Sequence, residues 1–279
     1  MNYSKKCPIC LEGRKKLETL SWSNYKVIHC NKCNLDYCSS MKEKEIGGDS
    51  SPVHKEGIEM MAATLDKTKE LAQNYVDRRI PIFESYLKRK CNNVLEVGCG
   101  AGVFYNPFKK KFIEWDGIDI NPYWNLFGKN NNIPISNKPL DQIKKKYDVI
   151  LAYQVLEHVE SPIPFMESII SNLNPGGIVH LELPNQSSLN SRIRQISPLI
   201  SKDYGFIQPP MHLRAYQKTT LEYMFRKVGL DIKKIIICGN TDKYWGQVRD
   251  YNLMQKTLYK LSGKIGYGSL LIGLAQRPF

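Results

Sequence analysis

The stretch VLEVGCGAGVF at 94–104 runs an apolar, β-type segment straight into Gly98, Gly100 and Gly102, with a helical pattern after them. Glycines at such a bend let the backbone turn sharply and let a ligand approach with no Cβ in the way. Beyond it the chain alternates short β-type runs with helical stretches. NVLEVG, FIEWDGIDI, IPIS, YDVILAY, GGIVHLEL, DIKKIIIC and GSLLIGLA read as seven candidate strands. The middle ones are nearly continuous apolar runs, as expected of strands covered on both faces. The pattern predicts an α/β fold with a doubly wound sheet and helices on both sides.

Local signals place several helix ends. From Glu56 to about Lys90 the spacing of Ile58, Met61, Leu65, Ile82, Phe83, Tyr86 and Leu87 is helical, and Pro81 is expected to start or kink a second helix. Thr219 and Glu222 have the spacing of a capping box, and Gly229 a helix stop. Residues 39–55, with Gly-Gly and Ser-Ser-Pro, read as a linker.

A second feature sharpens the glycine loop. The next strand ends in GIDINP, so Asp119 stands at the carboxyl end of strand two, where a carboxylate accepts the hydroxyls of a ribose. The third glycine falls at 102, whereas a G-x-G-x-x-G dinucleotide loop needs it at 103, which is Val103. A nicotinamide oxidoreductase is therefore disfavoured.

With VLEVGCGAG, GIDI, YDVILAYQVLEHV, NPGGIVHLELPN and HLRAYQKTTLEYMFRKVGL in that order over most of 90–275, the chain resembles the class I S-adenosylmethionine-dependent methyltransferases. The resemblance implies a Rossmann-like, doubly wound seven-stranded sheet and S-adenosylmethionine as cofactor. It implies that Glu96 holds the methionine amino end, Gly98 and Gly100 floor the cofactor, and Asp119 takes the ribose. Ile120 and Tyr153 complete the implied cofactor set, with Asp141 or Gln142 near the adenine.

Two Cys-x-x-Cys turns precede this region: CPIC with Cys7 and Cys10, and CNKC with Cys30 and Cys33, nineteen residues apart. Each turn sets two thiolates on one side of a tight loop, and two turns supply the four sulfurs of a closed structural zinc site. So short a segment builds no core of its own, and metal binding would supply folding free energy of order ~10–16 kcal/mol. The segment between the pairs reads as two short strands of a zinc ribbon. The chain also resembles a subgroup of these methyltransferases that carries such a ribbon and acts on small molecules or sugars. The expected organisation is a zinc ribbon at 1–40, a linker and helical segment at 41–90, and the methyltransferase domain at 91–279.

LAYQVLEHVESP at 151–162 leaves strand four with Gln154, Glu157 and His158, and the long segment GFIQPPMHLRAY after strand five brings His212. Acceptor pockets of open α/β sheets lie beyond these strand ends, so the four side chains are expected at one mouth. Three readings stay open: local caps on backbone, His158 or His212 as catalytic base, or a divalent cation held by Glu157, His158 and His212. Some ubiquinone-pathway O-methyltransferases and small-RNA 2′-O-methyltransferases resemble this region with Glu-x-x-Glu-His and a later His. Gln154 stands where that pattern has its first Glu.

The net charge of +13 fits either an acidic partner, such as nucleic acid, a nucleotide-sugar or an anionic glycan, or a lysine-rich solvated surface. The polar N-terminus and the short apolar tail GSLLIGLA show no signal peptide or membrane span. The expectation is a cytoplasmic enzyme with no membrane partner, methylating a hydroxyl of a small molecule, sugar or nucleotide-sugar. The alternatives are an RNA or tRNA methyltransferase and a non-catalytic cofactor-binding scaffold.

Overall fold

The computed structural model describes residues 6–13, 17–38, 65–209, 211–240 and 252–279. The expected linker at 39–55, Ile58 and Met61 lie outside these residues. Strands β1 (Leu17–Trp22), β2 (Tyr25–Cys30) and β3 (Asp36–Cys38) form an N-terminal meander. Helix α1 (Leu65–Leu87) follows, then β4 (Asn93–Val97), α2 (Tyr105–Lys109), β5 (Glu114–Ile118), α3 (Pro122–Asn131) and β6 (Ile135–Ser136). The second half is β7 (Tyr147–Tyr153), α4 (Pro162–Asn172), β8 (Leu173–Pro184), α5 (Leu189–Arg194), β9 (Arg214–Ala215), α6 (Lys218–Lys227), β10 (Asp231–Cys238), α7 (Leu253–Lys264) and β11 (Leu270–Gln276).

All seven candidate strands join one sheet in the order β10-β11-β8-β7-β4-β5-β6. The β6 to β8 part is parallel, and β11 inserts antiparallel between β8 and β10. Strand order reverses between β4 and β7, which opens a crevice at their carboxyl ends. The two faces bury separate layers: Ala72, Val76 and Phe83 of α1 cover one, and Met166 of α4 with Leu221, Met224 and Phe225 of α6 cover the other. Each fully buried side chain of this size contributes roughly 1.5–3 kcal/mol.

Two local expectations are corrected. Pro81 does not start a second helix; it lies inside the continuous α1. Thr219 is not a cap either. The N-cap of α6 is Gln217, whose amide donates to the Asn34 carbonyl at 2.8 Å, while Thr219 accepts from the Asn34 amide at 3.1 Å. Side chains that would have capped the helix are taken up by the cysteine turn packed against it. Gly229, at φ +75°, does follow the end of α6.

The meander is not a free appendage. β3 pairs antiparallel with β9, matching Asp36 to Ala215 and Tyr37 to Arg214. Its buried residues Ile9, Ile28, Leu35 and Tyr37 join the apolar layer on the α6 side of the sheet.

Candidate active site and zinc centre

Cys7, Cys10, Cys30 and Cys33 are all buried, and their sulfurs lie within 4.8 Å of one another. The Cys7–Cys33 and Cys10–Cys30 separations are 3.5 and 3.4 Å. Four thiolates about 2.3 Å from one ion stand at about this spacing, so the set suits zinc. His29 stays outside it and bonds Asp36 at 2.6 Å. Cys38, Cys91, Cys99 and Cys238 are buried among apolar residues.

The glycine loop leaves β4 with Gly98 at φ +69° and Gly100 at φ +51°. A Cβ on Gly98 would sit 2.5 Å from the Val155 side chain, so only glycine lets the loop after β7 close over the turn. Asp119 follows β5 and accepts from the backbone N–H groups of Gly100 at 3.0 Å and Asn121 at 2.9 Å. That ties Asp119 to the glycine turn. Glu96 is buried on β4, accepts from the Trp115 indole at 3.0 Å, and is pushed up to about 8 by burial. Ile120 is almost fully exposed beside Asp119, an apolar surface open to a flat ring. Asp141 and Gln142 lie exposed on a single 3₁₀ turn, Leu140–Gln142.

Tyr153, at the end of β7, belongs to a buried polar cluster that the sequence reading missed. Its hydroxyl lies 3.4 Å from His180 Nδ1. Glu182 of β8 accepts from the Tyr75 hydroxyl, from Arg79 Nη2 at 3.2 Å, and lies 3.3 Å from His180 Nε2. Arg79 also stands over the Tyr75 ring at 4.1 Å, and Tyr75 stacks on Phe104 behind the glycine loop. Burial alone would raise Glu182, but His180, Arg79 and Tyr75 outweigh it and hold the carboxyl below its ordinary value. The signal was present in two spacings: His180 and Glu182 alternate on one face of an apolar strand, and Tyr75 and Arg79 are one helical turn apart.

A second cluster is built by the turn after β7. Leu156–His158 form a 3₁₀ turn, held by the Leu213 N–H on the Glu157 carbonyl (3.1 Å) and the Tyr216 hydroxyl on the Leu156 carbonyl (3.3 Å). This brings Glu157, His158 and His212 together, with one ligand atom of each within 4.8 Å of the others. The two imidazoles meet edge to face at 4.7 Å. Neither carboxylate oxygen of buried Glu157 meets a hydrogen-bond partner from another residue, nor does His212 Nδ1. Burial raises Glu157 to about 8 and lowers His212 to about 4. Gln154, at φ +53°, turns its side-chain amide to donate to the Glu182 carbonyl at 3.4 Å.

The family model described as a methyltransferase domain matches residues 62–235, more than half of the chain. The chain belongs to this methyltransferase family. It is an S-adenosylmethionine-dependent enzyme by that membership. Among curated relatives, the ubiquinone biosynthesis O-methyltransferase of Saccharophagus degradans is 24% identical over 249 residues, covering 80% of this chain and 94% of that protein. The enzyme of the same name from Rickettsia canadensis is 24% identical over 154 residues, and the match spans 51% of this chain and 64% of that protein. Among solved structures, the plantazolicin methyltransferase BpumL in complex with SAH aligns with a TM-score of 0.58 at 15% identity, over 84% of this chain and 94% of that one. That likeness carries the fold. Among the described residues, no helix is long and apolar enough to cross a membrane.

Proposed function

We propose that this methyltransferase methylates a hydroxyl oxygen of a small-molecule acceptor, received where Glu157, His158 and His212 converge. One observation carries the reading: a buried carboxylate with no partner from another residue faces two imidazoles at the carboxyl end of β7. A buried, unpartnered polar group costs about 1–3 kcal/mol or more. Such a cost is sustained where a ligand supplies the missing contact. The relatives named as O-methyltransferases support oxygen as the acceptor atom.

Glu96, Gly98, Gly100, Asp119 and Ile120 are the residues that would hold the cofactor, Asp119 through the ribose hydroxyls and Ile120 against the adenine. Bound there, S-adenosylmethionine supplies an electrophilic methyl group. The chain's own task is to hold the acceptor oxygen in line with that methyl and to manage its proton. His158 Nδ1 lies 2.9 Å from the Met211 carbonyl and so donates to it, leaving Nε2 as a lone pair. Partial desolvation holds both imidazoles below the ordinary histidine value, which favours the neutral form near pH 7. A neutral Nε2 accepts the hydroxyl proton directly. Glu157, His158 and His212 also fit a divalent cation by donor type and spacing, and such an ion would lower the acceptor hydroxyl's pKa. The orphaned carboxylate favours this second reading.

The test is a panel of phenolic, sugar and nucleotide-sugar acceptors beside amine and carbon acceptors, read by release of S-adenosylhomocysteine and by calorimetry of cofactor binding. Hydroxyl acceptors are expected to turn over, with Glu157→Ala and His212→Ala slow yet still binding cofactor. Turnover confined to amine or carbon acceptors would sink the reading.

A further inference from the structure

Helix α7 is turned the wrong way round for an ordinary surface helix. None of its residues is buried. It rests on the body through its glycine side: a Cβ on Gly263 would lie 2.7 Å from Gly239 N, and one on Gly239 would meet the Tyr259 carbonyl oxygen. Tyr259, Ser262 and Gly263 are half-buried on that side. At about 100° per residue, Leu253, Met254, Leu258, Leu261 and Ile265 fall on the opposite arc. They are 56–81% exposed. Surface helices normally bury their apolar stripe and expose the polar one.

Charge follows the same face. Lys256, Lys260 and Lys264 form a row beside the apolar arc, and the chain has no Asp or Glu from Asn252 to Phe279. The patch continues onto α5. The Leu189 N–H donates to the Tyr267 carbonyl at 3.1 Å, and the Arg192 guanidinium lies 4.9 Å from the Tyr267 ring centre. There Leu189 and Ile193 are also exposed, and the stretch from Asn185 to Lys202 again lacks any acidic residue.

We propose that this face, centred on α7, lies on an anionic lipid surface, with the leucines entering the headgroup boundary and the lysines meeting lipid charge. A convex apolar arc flanked by lysines has the form of an interfacial helix, which binds by buried apolar area together with attraction to anionic lipid. Nucleic acid would use the lysines and leave the leucines without a role. The face adjoins α5, which the chain enters shortly after the carboxyl end of β8.

The test is flotation of the full chain with vesicles of phosphatidylglycerol and phosphatidylcholine, against phosphatidylcholine alone. Binding is expected to the anionic vesicles only and to weaken with salt. Leu258→Glu/Leu261→Glu and Lys260→Glu/Lys264→Glu should each weaken it by roughly tenfold or more. Both pairs are exposed, and unchanged cofactor binding by calorimetry will show that the variants are folded. Absence of binding to anionic vesicles at low salt, or binding that the leucine variant leaves unchanged, overturns the proposal. So does a dimer seen by light scattering that the leucine variant abolishes while no vesicle is bound, which assigns the face to a second copy.

Discussion

The backbone N–H of Cys38 donates to the carbonyl of Leu213 at 3.0 Å, which ties the end of the cysteine module to the residue next to His212. Around this bond the module grips the segment that carries His212. Trp22 donates to the Ser201 carbonyl at 3.2 Å, Tyr25 to the Ile207 carbonyl at 3.0 Å, and Arg214 to the Cys38 carbonyl at 3.0 Å. Asp36 accepts from Gln186 at 2.9 Å, and Gln186 in turn accepts from the Phe206 N–H at 2.9 Å.

Zinc loss should therefore act on the acceptor side at a distance. Freshly purified protein is expected to hold about one zinc per chain by elemental analysis. Cys30→Ser should raise amide exchange over 200–213 while calorimetric cofactor affinity changes little. Unaltered exchange there would separate the module from the site.

Asp119→Ala should weaken cofactor binding on the order of ten- to a hundredfold, because hydrogen bonds to a charged group are worth about 1.5–3 kcal/mol each. Calorimetry measures this directly. The glycine turn also loses its Gly100 contact, so part of the loss will appear as faster exchange of that amide.

His212→Ala should reduce turnover at least tenfold and leave cofactor affinity within a few-fold. Single-turnover rates with an accepted hydroxyl substrate provide the check. An unchanged rate would retire His212 from the chemistry.

Asp148 accepts from both terminal nitrogens of Arg89 at 2.5 and 2.7 Å, from the Asn92 N–H and from Asn174. Burial raises its pKa, but these donors outweigh burial and hold it below the ordinary 3.8. A depressed folded-state pKa stabilises the fold above the unfolded value and loses that stability as pH falls through the folded one. Urea denaturation should show stability from this group that is full above about pH 5 and fades below 3.8. Asp148→Asn should cost about 1.5–3 kcal/mol at pH 6 and flatten the acid limb.

Arg79→Ala should destabilise by about 3–5 kcal/mol, since it strips one partner from a buried ion pair. The double variant Arg79→Met/Glu182→Met should lie closer to wild type than the sum of its single substitutions. Chemical denaturation of the four proteins completes the cycle.

Local chemistry made much of this molecule readable. Every candidate strand joined the sheet, because apolar runs of strand length between turn residues need only their own composition to be recognised. The four cysteines converge because a Cys-x-x-Cys turn fixes its pair locally. Thr219 misled for the opposite reason: its spacing fits a cap, but Asn34, from a distant turn, claims its hydroxyl. Pro81 does not divide the helical stretch in two, because packing carries α1 through it.

Sequence alone determined the sheet, the glycine turn with Asp119, and the cysteine set, since periodicity and residue chemistry encode them within a few positions. Tertiary structure decided three other things: β3 pairs with β9, Glu157 is left without a partner beside two imidazoles, and α7 turns its leucines outward. Each depends on which distant surfaces meet and which polar atoms that meeting buries, and no local pattern carries that information.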